Sequence, residues 1–232
     1  MRSEAHFHTT RWTLVRLSRG DDTTSQQALS DLCAAYYAPV VAFIGRCGFE
    51  DSRARDLAHD FFARLLASPQ MLKPEQERGR FRSYLLGAVK HFVSDALDRE
   101  RAAKRGGAAT METITEAGAA LSDEMALAPD REFDRQWALT VLSRVVAALE
   151  AEFAAGGKAG HFVLLKPWLT GDDDTLSQAT IAEHLDMNEG AVKVAIHRLR
   201  KRFRELIKAE IAQTVGSEAD AREELSHLLA AM

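Results

Sequence analysis

LSQATIAEHLDMNEGAVKVAIHRLRKRFR, residues 176–204, reads as two helices joined by a tight turn. Ser177 is a candidate N-cap, because its hydroxyl can accept an orphan backbone N–H. Ile181, Ala182 and Leu185 recur at helical spacing, and Ala182 is small enough for a close helix crossing. Asp186-Met187-Asn188 makes the turn, and Asp tolerates the left-handed conformation a tight turn demands. Val192, Ile196, Leu199 and Phe203 then form an inner stripe on the second helix. With that stripe inward, Lys193, Val194, His197 and Arg198 point outward. Cations there reach base edges or phosphates, His197 donates to either, and Val194 suits a thymine methyl. Arg200, Lys201, Arg202 and Arg204 follow and are expected to meet phosphates. The pattern predicts a helix-turn-helix over 177–204 whose second helix enters a DNA groove.

Working outward, the rest of the chain also reads as helices. Good helix formers dominate, only 5 of 232 residues are proline, and 46% are hydrophobic, enough for a buried core. A short helix is expected over Thr10–Arg19. A longer one starts near Ser25 and carries Ala28, Leu29, Leu32, Cys33, Tyr36 and Val40, with Pro39 expected to kink or divide it. A turn over Gly45–Phe49 precedes a helix over Ser52–Ala67. Phe81–Arg101 is long and helical, with Gly106-Gly107 at its end. Residues 106–129 are rich in Gly, Ala, Thr and acids with little periodicity, and read as a flexible linker. A helix carrying Trp137, Leu139, Leu142, Val145, Val146 and Leu149 opens a second module, and a short helix follows near His161–Leu169. Ser217–Met232 reads as a last amphipathic helix with Leu225, Leu228 and Leu229 on its apolar side.

The net charge is −4, yet cations concentrate in two places. One is the second helix of the helix-turn-helix. The other is GRFRSYLLGAVKHFVSDALDRERAAKR, residues 79–105, where Phe81, Tyr84 and Phe92 interleave with cations and His91. Rings beside cations suit unstacked bases and their phosphates, although the same rings also suit a core. Basic patches on an acidic chain fit weak DNA binding assisted by a partner. There is no phosphate-cradling glycine loop and no His-Glu metal motif; Asp56, His59 and Asp60 share one helix turn, as exposed acids commonly do. Neither an enzyme, a metal centre nor a cofactor is expected. Cys33 and Cys47 are not spaced as metal ligands and read as reduced thiols. No signal peptide or membrane-length apolar run is expected, which points to a cytoplasmic protein.

The order of these segments resembles bacterial RNA polymerase sigma factors of the extracytoplasmic-function group. DLAHDFFARLL (56–66) is similar to that family's D-L-x-Q-E-x-F-x-R-L helix. FRSYLLGAVKHFVSDAL (81–97) is similar to its F-R-x-W-L-x-x-I-A-R-N-x-x-x-D-x-L helix, and LSQATIAEHLDMNEGAVKVAIHRLRKRFREL (176–206) to its region 4 helix-turn-helix. The resemblance implies an all-α chain of two helical domains. Region 2 would span 10–105, the linker 106–129, region 4 130–211 and a helical extension 212–232. It implies that Asp56, Asp60, Phe62 and Arg64 bind the polymerase β′ clamp coiled coil, with region 4 on the β flap. It implies that Arg80, Arg82, Tyr84, Lys90, His91, Asp95, Arg99 and Arg101 serve the minus-ten element and its melted non-template strand. Lys193, Val194, His197, Arg198 and Lys201 would read the minus-thirty-five duplex.

The chain departs from the family where an acidic Asp-Ala-Glu-Asp is usual: here Arg53-Ala54-Arg55-Asp56 stands. Cations there weaken contact with a basic β′ surface. Phosphorylation of Ser52 by a Ser/Thr kinase would restore negative charge. An anti-sigma factor and the extension itself are the other candidate regulators. The alternative is a stand-alone helix-turn-helix repressor or activator, and a further one an adaptor without DNA affinity.

Overall fold

The computed structural model describes residues 23–67, 80–106, 123–169 and 176–232. Among these the chain is all-α, with eight α-helices and no strand. They are α1 (Thr23–Arg46), α2 (Asp51–Ala67), α3 (Phe81–Gly106), α4 (Asp123–Ala155), α5 (Ala159–Leu165), α6 (Gln178–Leu185), α7 (Glu189–Ala212) and α8 (Glu218–Ala230). A 3-10 turn, Lys166–Leu169, follows α5. The expected helix over Thr10–Arg19 lies outside the described residues.

The chain forms two compact units, one from Met1–Thr140 with Ala212–Met232 and the other from Val141–Ile211. The expected division differs from this at two places, the linker and residues 130–140. Asp123–Pro129, assigned to the linker, are helical, while 107–122 lie outside the described residues. Residues 130–140 belong with the first unit, and so does the C-terminal segment. Aromatic packing explains the place of residues 130–140: Phe133 and Trp137 of α4 are fully buried, and Phe133 stacks on Tyr36 of α1 at 6.3 Å.

On α1 the first unit's core follows the predicted stripe. Leu29, Leu32, Tyr36, Val40 and Ile44 of α1 are buried with Leu57, Ala58 and Phe61 of α2 and Phe81, Leu85, Val89 and Val93 of α3. Phe61 meets Phe92 edge-on at 5.5 Å, and Tyr36 meets Phe81 at 5.1 Å, the geometry aromatic quadrupoles favour. Pro39 does not divide α1, which runs on to Arg46. Buried neighbours on both sides, Tyr36 and Val40, hold the helix against the lost hydrogen bond. Gly48 closes the following turn at φ +98, a value natural to glycine. Over Gln27–Arg46, α1 is long and apolar enough to cross a bilayer, the one such stretch among the described residues. Its apolar stripe is instead buried in this core.

The second unit is built around Leu149, Phe162, Leu165, Ile181, Ala182, Val192, Ile196 and Leu199. Trp168, Leu185, Met187 and Phe203 close over them. Ile181, Val192 and Leu199 are at most 1% exposed, as the predicted inner stripe requires.

Candidate nucleic-acid interface

The helix-turn-helix is fixed by local bonds that its sequence specifies. Ser177 Oγ accepts the Thr180 N–H at 3.1 Å and starts α6. Asp186 ends it in the left-handed region, φ 51 and ψ 48. The Met187 N–H then donates to the Ala182 carbonyl at 2.9 Å, and Asp186 N–H to Glu183 at 3.4 Å. These bonds satisfy carbonyls that the helix end would leave orphaned. Asn188 Oδ1 accepts the Ala191 N–H at 2.8 Å and starts α7, with Glu189 favourably placed in its first turn.

That framework turns Lys193, Val194, His197, Arg198 and Lys201 to solvent on the face opposite Val192, Ile196 and Leu199. Val194 is 49% exposed, a large apolar group held outward among cations. Among the described residues, Lys193, Arg198 and Lys201 have no salt-bridge partner. Two neighbours differ from expectation. Arg200 Nε donates to the Trp168 carbonyl at 2.8 Å. Arg202 forms a two-pronged pair with Glu152 of α4 at 2.6 and 2.9 Å, and touches Glu205 at 3.3 Å. These bonds hold the Glu152 carboxyl below its usual range. The two guanidinium groups, expected at phosphates, thus bind within the second unit.

The second basic segment lies on α3 and divides sharply by position. His91, Asp95, Arg99 and Arg101 are exposed, as is Lys90, whose Nζ meets Asp130 Oδ2 at 2.5 Å. Arg99 Nε donates to the Asp95 carbonyl, and Arg101 lies 3.7 Å from Asp98. The aromatic residues face inward instead. Phe81 is fully buried, Phe92 is 8% exposed, and Tyr84 is half-buried and tilted against Phe81. Burial raises the Tyr84 phenol above its ordinary value, with a smaller contribution from Cys33. Phe81 and Phe92 thus serve the core and are not offered to bases, while Tyr84 keeps part of its surface exposed.

Arg80 and Arg82, expected at DNA, are engaged with the C-terminal segment. Arg82 is 4% exposed. Its Nε and Nη2 donate to the two Glu224 oxygens at 2.8 and 3.1 Å, Nη1 meets Asp134, and its guanidinium lies 5.1 Å over the Trp137 ring. Burial alone would lower the Arg82 pKa, but the Glu224 bonds and charge, with Asp134, raise it on balance. Arg80, partly exposed, pairs with Glu223, with Glu224 at 3.5 Å and with Asp220 at 3.9 Å. The Phe81 N–H, at the start of α3, donates to the Thr214 carbonyl at 2.9 Å.

On α2, Asp56, Asp60 and Arg64 form an exposed face, while Phe62 is 7% exposed and packs against Phe61 and Tyr37. Phe62 is therefore held in the core, away from that face. Arg64 lies over the Phe92 ring at 5.2 Å. His59 is stacked on Tyr37 and hydrogen-bonded to its hydroxyl at 3.0 Å. Ser52 is exposed in the first turn of α2. Arg53 bonds Glu100 at 3.2 Å, leaving Arg55 as the neighbouring cation without a salt bridge among the described residues.

Sequence reasoning missed Glu224. It is fully buried, although it sits in a helix predicted to face the core with leucines. A signal was present: Glu224 precedes Leu228 by four residues and so interrupts the apolar stripe. No family model, curated protein or solved structure matches this chain.

Proposed function

We propose that this chain is a promoter-specificity factor of RNA polymerase, a sigma factor of the extracytoplasmic-function type, acting in the cytoplasm without catalysis of its own. The observation that carries the proposal is the outer face of α7. Lys193, Val194, His197, Arg198 and Lys201 stand together on a helix whose register is set by Ser177, Asp186 and Asn188. Such a face suits the major groove, with Lys193 and Arg198 toward base edges or phosphates. The order of the motifs along the chain extends this to a two-point reader. The α7 face would take the minus-thirty-five duplex, and the outer face of α3, with Lys90, His91, Asp95, Arg99 and Arg101, the melted non-template strand. Asp56, Asp60 and Arg64 of α2 would meet the β′ clamp coiled coil, and the second unit the β flap.

Because the chain is acidic overall, its own DNA affinity should be small and its specificity should depend on the polymerase. Fluorescence anisotropy of promoter-length duplexes, with and without core polymerase, tests this. Weak, salt-sensitive binding that becomes sequence-specific with core enzyme is expected. Tight specific binding by the isolated chain would instead identify a repressor or activator, and no salt-dependent DNA affinity an adaptor.

A further inference from the structure

The arginines at the start of α3 are occupied by acids from α8. Three carboxylates of one helix, Asp220, Glu223 and Glu224, meet two guanidinium groups, Arg80 and Arg82, and all belong to the first unit. The apolar hold on α8 is slight by comparison. Glu224 and Leu228 are its only buried residues, and Leu229 is 67% exposed. An apolar side chain at position 224 would complete a core as well, because replacing a buried ion pair with apolar side chains is commonly neutral or stabilising. The acids give something an apolar contact does not, namely carboxylates that a phosphate can replace at the same two guanidinium groups. Guanidinium groups bind carboxylate and phosphate with the same two-pronged geometry.

We propose that α8 is a reversible latch. Its acidic row and the phosphates of a single nucleic-acid strand compete for Arg80 and Arg82, so docking of α8 and loading of a strand on the start of α3 exclude one another. This rests on the proposed role of α3 in holding a melted strand. Arg80 would exchange first, being the more exposed of the pair, with side-chain exposures of 20% and 5%. Release of Glu224 would then free Arg82 of one of its two acidic partners, leaving Asp134.

The test uses a fluorescein-labelled 20-nucleotide dT strand and three forms of the protein. These are the full chain, a chain ending at Gly216, and the full chain with Glu223→Gln and Glu224→Gln. The double variant keeps side-chain volume and serves if the shortened chain does not fold. A coupling between sites is typically about 5- to 150-fold. Both altered forms should therefore bind dT at least about fivefold more tightly than the full chain, and Arg80→Ala should remove that gain. In the full chain, saturating dT should speed amide exchange at Leu225–Leu228 by the same factor, because coupling is reciprocal. Strand binding that leaves α8 protected and the affinities equal overturns the latch while the role of α3 stands. Absence of dT binding by every form overturns both. A gain in core-polymerase affinity without a gain for dT overturns the latch in favour of a cover over a protein-binding face.

Discussion

Glu224→Ala should destabilise the first unit severely. The side chain it removes is fully buried and bonds Arg82 through both oxygens, at 2.8 and 3.1 Å. Arg82 stays behind, 4% exposed, with a charge it cannot lose. Breaking a buried pair from one side costs about 3–5 kcal/mol. Asp134 continues to neutralise part of the charge, and the Trp137 face adds some attraction, so the loss should fall near the lower end, about 3 kcal/mol. With a urea dependence of about 1–3 kcal/mol per molar, the unfolding midpoint should drop by roughly 1–3 M. The assay is urea unfolding followed by fluorescence in a background whose only tryptophan is Trp137, so that the signal reports this unit. The apolar double variant Arg82→Met with Glu224→Leu should recover most of the loss, coming within about 1 kcal/mol of the starting protein. A Glu224→Ala chain within about 0.5 kcal/mol of the starting protein would refute the reasoning, since surface changes have effects of that size.

The α7 face makes a second prediction. Lys193→Ala and Arg198→Ala should each weaken duplex binding by about 1–3 kcal/mol if they reach bases. Lys201→Ala should instead lower the salt slope by about 1 as a lost phosphate contact, and Arg202→Ala, already bound to Glu152, should leave the slope unchanged in a salt titration. Asp186→Gly should stabilise the second unit by a few tenths to about 1 kcal/mol in thermal melts, because glycine adopts φ 51 without the Cβ penalty, whereas Asp186→Val should destabilise it. Burial pushes the Cys33 thiol up to about 12 and the Cys47 thiol up to about 11, from 9.0. Both stay protonated in the fold while the unfolded chain ionises, so stability is fully present below pH 9 and falls as pH rises from about 9 towards 12. Replacing both with Ala should flatten that alkaline slope in melts followed by circular dichroism. Ser52→Asp should raise core-polymerase affinity in pull-down titrations, as negative charge offsets Arg55; unchanged affinity would remove Ser52 from the account.

The helix-turn-helix was legible because everything that fixes it is local. Ser177, Asp186 and Asn188 each act within a few residues, and the stripe from Val192 to Leu199 follows the helical repeat. The outward placement of Lys193 and Arg198 then follows from geometry alone. The role of Arg82 was not legible, because its partner Glu224 lies 142 residues away. In composition it is one cation among many in a basic segment, and only tertiary packing separates it from Arg99 or Arg101. The aromatic residues of α3 were ambiguous for the same reason. Phe81 and Phe92 follow a stripe that suits a core or a base-stacking face equally, and contact with Tyr36 and Phe61 decides for the core. Pro39 misled through a rule valid for isolated helices, which a buried helix with packed neighbours overrides.

Run-off transcription with purified core polymerase on a promoter library tests the central claim most directly. The chain should yield discrete start sites that share two sequence elements, and Lys193→Ala with Arg198→Ala should abolish selection of the upstream element while leaving the chain folded. Transcripts no different from those of core polymerase alone, with a folded chain bound to the same DNA, would contradict it.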